Sequence, residues 1–88
     1  MVIFITAVHM AGGSGHEHIA EVTWFNPEEG IPKKNTTAAI VDWIDNNKGI
    51  AKVSSASGDV LVGTVSGTHL RTHANGKWTD NLLSLPRY

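Results

Sequence analysis

The chain has no cysteine, which removes disulfide staples, thiolate zinc sites and a cysteine nucleophile. Charge is also scarce: seven Lys and Arg stand against eight Asp and Glu, 17% of residues, for a formal net charge of −1. Affinity for a nucleic-acid duplex comes largely from Lys and Arg displacing counterions, so a thin, scattered basic set argues against duplex binding. No apolar run has the length of a membrane span, and Met1–Met10 lacks the basic flank of a signal peptide. It reads as a strand. No internal repeat or low-complexity segment interrupts the chain, and the missing cysteines fit a cytoplasmic address.

What remains is 88 residues, one domain with a small core. A chain of this size buries roughly 60–65% of its extended surface, and unstapled domains of this kind gain stability by association. Sparse charge leaves a surface suited to burial between subunits, so a homo-oligomer is expected.

Val2–His9 is rich in β-branched residues and apolar on both faces, the pattern of a central strand; Ala11–Gly15 breaks it. His18–Phe25 resumes a strand and closes a hairpin, with His18, Ala20, Val22 and Trp24 on one face. Asn26 to Asn35, with two prolines and four charges, reads as an exposed connection. Asn35 or Thr36 caps a helix over Ala38 to about Asn46, with Ala39, Ile40, Trp43 and Ile44 on one side and Gly49 as its stop. Ile50–Ser54, Val60–Val65 and Leu70–His73 are short strands. The fold class is α+β: a ββαβββ domain with an antiparallel or mixed sheet and one helix packed on one face.

The densest chemistry lies in Thr68–Tyr88. A strand over Thr68–His73 meets an Asn75-Gly76 turn, the strongest short hairpin signal, because a type I′ turn needs positive φ at both central residues. Alternation puts His69, Arg71 and His73 on one face and Leu70 and Thr72 on the other. A face of His, Arg and His is solvated or turned toward an anion. Beyond the turn, Trp78 offers a stacking plane, Asp80 and Asn81 offer acceptors and donors, and Arg87 offers a fork for phosphate. The competing assignment makes Trp78 a core plug, Asp80 and Asn81 turn caps and Arg87 a solvated charge. Trp24 and Trp43 are assigned to the core.

The loop Gly12-Gly13-Ser14-Gly15-His16-Glu17-His18 offers backbone N–H groups to an anion, but it lacks the Lys-Ser/Thr of a P-loop and no helix follows. A plain hairpin loop is the commoner explanation. On a strand, His16 and His18 share a face, and His9, His69 or His73 would have to complete a metal site; no metal is assigned. His69-Leu70-Arg71-Thr72 is like one half of the paired elements of two-histidine phosphoesterases. Arg71 interrupts that pattern, His16-Glu17-His18-Ile19 is no second copy, and no nucleophile–base–orienter set is visible, so an enzyme is not expected.

Five stretches carry a resemblance. They are Ile5-Thr6-Ala7-Val8-His9-Met10; Gly12-Gly13-x-Gly15-His16-Glu17-His18-Ile19; Val41-Asp42-Trp43-Ile44; Leu70-Arg71-Thr72; and Trp78-Thr79-Asp80-Asn81-Leu82-Leu83-x-Leu85-Pro86-Arg87-Tyr88. Over nearly the whole length they resemble a family of small bacterial and phage domains whose function is unknown. By kind, the chain is similar to compact phage proteins that form symmetric oligomers and sequester nucleotide immune signals, cyclic dinucleotides and cyclic ADP-ribose isomers, between subunits. That similarity implies a bacterial host cytoplasm and a role as a molecular sponge.

The expectation is therefore a non-catalytic binder that encloses a small anionic, nucleotide-derived ligand at a subunit interface, without a cofactor. Trp78 or a neighbouring aromatic stacks on a base, Asp80 and Asn81 read polar edges, Arg71, Arg87, His69, His16 and His18 meet phosphates, and Tyr88 completes the ligand-binding set. The alternatives are an interaction module for a host protein and, behind it, a phosphodiesterase acting on cyclic nucleotides.

Overall fold

Glycines follow the first strand, and prolines and a glycine punctuate the connection before the helix. A computed structural model describes residues 2–55, 58–74, 77–79 and 81–88. Among these, β1 (Val2–Met10) and β2 (Ile19–Phe25) form an antiparallel hairpin, and β3 (Lys33–Thr36) pairs antiparallel with β2. Helix α1 (Thr37–Asn47) then carries the chain to β4 (Ile50–Ser55), which lies parallel to β1. An antiparallel meander follows: β5 (Gly58–Val65), β6 (His69–Ala74) and β7 (Lys77–Thr79). The sheet order is β3-β2-β1-β4-β5-β6-β7, a mixed sheet with α1 on one face. This is the expected α+β class, with β3 and β7 added at the two edges. The pairing of β6 with β7 is the predicted hairpin; its Asn75-Gly76 turn lies outside the described residues.

The stretch expected as connection contains β3, which has no apolar alternation to announce it. Its four residues are exposed and are held by main-chain pairing to β2. Two lysines on an outermost strand discourage further pairing.

Thr37, Ile40 and Val41 are buried on α1, with Ile44 packed beside them, the i, i+3, i+4, i+7 stripe of a helix on a sheet. Val41 thus takes the place expected for Ala39, which is exposed. Thr36 is the cap, its Oγ1 accepting from Ala39 N–H at 3.2 Å. Asn35 instead accepts from Trp24 Nε1–H at 2.9 Å. The expected glycine stop is displaced by one residue: Lys48 takes the left-handed conformation (φ 54) and closes on Trp43 O. Gly49 serves a different purpose. A Cβ there would fall inside the Trp43 indole, so the ring packs flat on the backbone. Trp24 and Trp43 both pack against the core, as expected.

The core is one cluster that includes Ile3, Ile5, Val8, Val22, Ala51, Val53, Val62, Leu70 and Leu82. Two irregularities in the β1–β2 register shift side-chain parity. One of them puts Ile19 in the core and leaves Ala20 exposed, the reverse of simple alternation. The other falls between Ile5 and Ala7, just past Phe4↔Lys52, the last pair β1 makes with β4. The chain end takes over the edge of β1 beyond that point. Val8 N–H donates to Pro86 O at 2.9 Å, and Tyr88 N–H donates to Val8 O at 3.1 Å. Leu82, in the 3₁₀ turn Leu82–Ser84, anchors this return in the core.

Candidate functional site on the open sheet face

Cross-strand partners share a face of a sheet, so the register defines the surface opposite the helix. One lateral row runs Phe25–Phe4–Lys52–Leu61–His73–Trp78, through five successive strand pairs. Arg71 and His69 lie on the same face of β6, as alternation predicts, while Leu70 and Thr72 are fully buried on the helix side. Thr72 is held there by polar bonds: its Oγ1 donates to Thr79 O at 3.0 Å and accepts from Thr79 Oγ1 at 2.7 Å. β7 is thereby fixed to β6 through side chains as well as the ladder.

Trp78 is not a core plug. It is 46% exposed on this face, its ring edge-on to His73 with centroids 5.1 Å apart. The indole reaches across β6 to Gly63, where a Cβ would stand 3.4 Å from the ring. Gly63 therefore lies against the far edge of the ring, at a distance that a Cβ would also fit. Arg71 Nε donates to Thr79 O at 3.3 Å, which steadies the guanidinium beside β7. Thr68 Oγ1 lies 3.0 Å from His69 Nδ1.

The other predicted residues are distributed differently. His16 and His18 belong to a 3₁₀ turn, His16–His18, and not to a strand, so they share no face: His16 is buried and His18 is half-buried. The His18 ring packs directly over Gly13, where a Cβ would clash with it. The turn folds back to touch β6. Among the described residues, no group of three or more His, Asp or Glu can hold a metal ion. Asn81 is half-buried and starts the last turn through its main-chain oxygen, with no side-chain cap bond. Asp80 lies outside the described residues.

Arg87 is exposed beside Val8, and Tyr88 packs over β1, β2 and β3. Tyr88 OH donates to Glu21 Oε1 at 2.9 Å, its ring lies 5.4 Å from that of His9, and Lys34 Nζ stands 4.6 Å over it. His9 Nδ1 and the Tyr88 main-chain oxygen are also bonded. Desolvation raises the Tyr88 phenol above its usual value. In sheet order, Tyr88 is four strands from Trp78. The structure therefore joins Trp78, His73, Arg71 and His69, and places Arg87 and Tyr88 at another part of the sheet.

Glu17 has a titration of its own. Its carboxyl lies below the usual 4.5, first because it accepts from its own main-chain N–H, then because His18, His69 and His16 are near. A depressed folded value stabilises the fold above the unfolded value, and that contribution disappears as pH falls through the folded one. Urea melts at neutral pH and at about pH 3 will show a smaller acid loss for Glu17→Gln than for the parent chain. Equal losses would contradict the assignment.

Sequence reasoning missed Lys52, Leu61 and Gly63, which complete the face around Trp78. The signal was parity: Leu61 is an apolar residue at an outward position and is 47% exposed. It also missed a groove of about 480 Å³ on the same face, where β1 and β4 part, lined by Phe4, Phe25, Pro27, Ser54, Asp59 and Leu85, among others. A smaller cleft of about 190 Å³ lies on the helix side, between Trp24, Trp43 and Ile40.

A family model matches residues 4–86, from the first strand through the helix and Trp78 to Pro86. The chain belongs to the family described as Protein of unknown function (DUF3892). No curated protein and no solved structure matches it. The DUF3892 match reaches every strand among the described residues and names no chemistry. No helix among the described residues is long and apolar enough to cross a membrane.

Proposed function

We propose that this protein binds a nucleotide-derived anionic ligand on the open face of its sheet and sequesters it without turnover. The observation that carries the reading is Trp78, an aromatic side chain that reaches Gly63, is braced by His73 and is left 46% exposed. Arg71 and His69 share its face; the guanidinium supplies a cationic fork for phosphate and the imidazole a hydrogen-bonding group. Base–aromatic stacking contributes roughly 1–3 kcal/mol per base and tolerates any base, because every base has a π-face.

The specific role we assign is capture of a cyclic dinucleotide or a cyclic ADP-ribose type signal, counteracting bacterial immunity from a phage or prophage. A second copy closing over this face would bury the ligand without requiring a large cavity in a small core. A thermal-shift panel of cyclic dinucleotides, cyclic ADP-ribose isomers and linear nucleotides tests this. At about 100 times the dissociation constant a true ligand adds roughly 2.7 kcal/mol, a rise of many degrees for a domain this small. The ligand should then be recovered intact from heated protein. Recovery of a cleaved product would make the protein a phosphodiesterase.

One observation favours a second reading. Ile50 and Leu61 are exposed on the same face as Trp78, and an apolar sheet surface also suits a polypeptide partner. In that case no nucleotide raises the melting point and a host protein protects the face from hydrogen exchange.

A further inference from the structure

We propose that the groove at the far end of this face is a subsite for a purine base of guanine type, so that the ligand is a dinucleotide containing guanine. This rests on reading the open face as nucleotide-binding and specifies what it takes. The groove opens because β1 leaves β4 after Phe4↔Lys52, and Leu85, from the returning chain end, forms one of its walls. Phe4 and Phe25 stand side by side in it, ring centroids 5.9 Å apart and 29° from parallel, and Pro27 adds a further apolar surface. A groove of about 480 Å³ with two aromatic rings and a proline in its lining suits a planar heterocycle better than a flexible chain.

The polar lining decides the class of ring. Ser54 and Asp59 are cross-strand partners and stand together in the groove. A carboxylate only accepts hydrogen bonds, through two oxygens, so its best partner is an edge with two adjacent N–H donors. Guanine has that edge in its ring N–H and amino group, whereas adenine sets its amino group beside an acceptor. Lys52 follows in the row, between Phe4 and Leu61, a cationic residue on the same face just outside the groove's lining. Beyond it lies the Trp78 indole against Gly63, on β5, two strands across from β1 and two residues along from Leu61. The order along the face is ring pocket, cation, ring platform, which matches base, phosphate, base.

The test uses GMP and AMP as probes, titrated into isotopically labelled protein and followed by NMR. GMP is expected to move the Phe4, Phe25 and Asp59 signals and to bind about tenfold more tightly than AMP, the scale of one bidentate polar contact. Asp59→Asn, which keeps size on an exposed strand position, removes that preference, and Phe25→Leu weakens both nucleotides. Equal binding of the two probes, or a preference unaffected by Asp59→Asn, overturns the groove assignment. So does movement of Trp78 and Arg71 signals alone, an outcome that leaves the broader nucleotide reading standing. If neither probe moves any signal, the groove assignment fails as well, and the thermal-shift panel still decides the broader reading separately.

Discussion

Leu82→Ala will destabilise the domain by about 2–5 kcal/mol, the range for deleting a fully buried leucine where the surroundings close only partly. Leu82 is 0% exposed and sits in the core although its neighbours in sequence belong to an irregular chain end. It is the anchor that lets Pro86–Tyr88 return to β1 and satisfy the N–H and C=O of Val8. Truncation therefore removes packing and loosens a main-chain pairing together. A domain of this length has roughly 4–13 kcal/mol in all, so the loss takes a large share of it. The melting point should fall by more than about 10 °C. A change below about 1 kcal/mol would show that the return segment is held by its backbone bonds alone.

Gly49→Ala comes next in size. Overpacking a filled site costs typically about 1–3 kcal/mol, and here the added methyl meets the rigid middle of the Trp43 ring. Moving that ring opens contacts with the apolar cluster, where Trp43 packs beside Ile40 and Trp24. Because Lys48, not Gly49, carries the left-handed conformation, the cost arises from packing and not from backbone strain. A double variant, Gly49→Ala with Trp43→Ala, separates the two. If the methyl costs the same without the indole, the packing account is wrong.

Parity made much of the open face legible in the sequence. In His69–His73 the two faces are distinct, with His, Arg and His on one and Leu70 and Thr72 on the other, and the Asn-Gly signal announced a hairpin turn after them. The register then put Trp78 beside His73, on the outward side. Whether Trp78 faced in or out depended on the hairpin register, which two residues of turn leave open to composition alone. Where parity breaks, so did the reading. The bulges in β1–β2 reverse Ile19 and Ala20, and the 3₁₀ turn at His16–His18 has no period of two. β3 escaped notice because an edge strand exposed on all its residues has no apolar signature. The groove depends on β1 and β4 parting after Phe4, a tertiary event that no local pattern announces. Gly49 shows the same limit in a different form: glycine after a helix suggests a conformational role, and here it makes room for a ring.

The central claim is that Trp78 is a ligand platform and not an exposed remnant of packing. The most direct measurement is a calorimetric titration of the parent chain and of Trp78→Ala with the nucleotide that gives the largest thermal shift. Loss of one stacked base, worth roughly 1–3 kcal/mol, corresponds to about 5- to 150-fold weaker binding. The account predicts a loss in that range, with little change in the melting point of the unliganded protein, since the indole lies on the surface of the sheet. Equal affinity of the two proteins, with binding present in both, would contradict it and move the site elsewhere on the molecule.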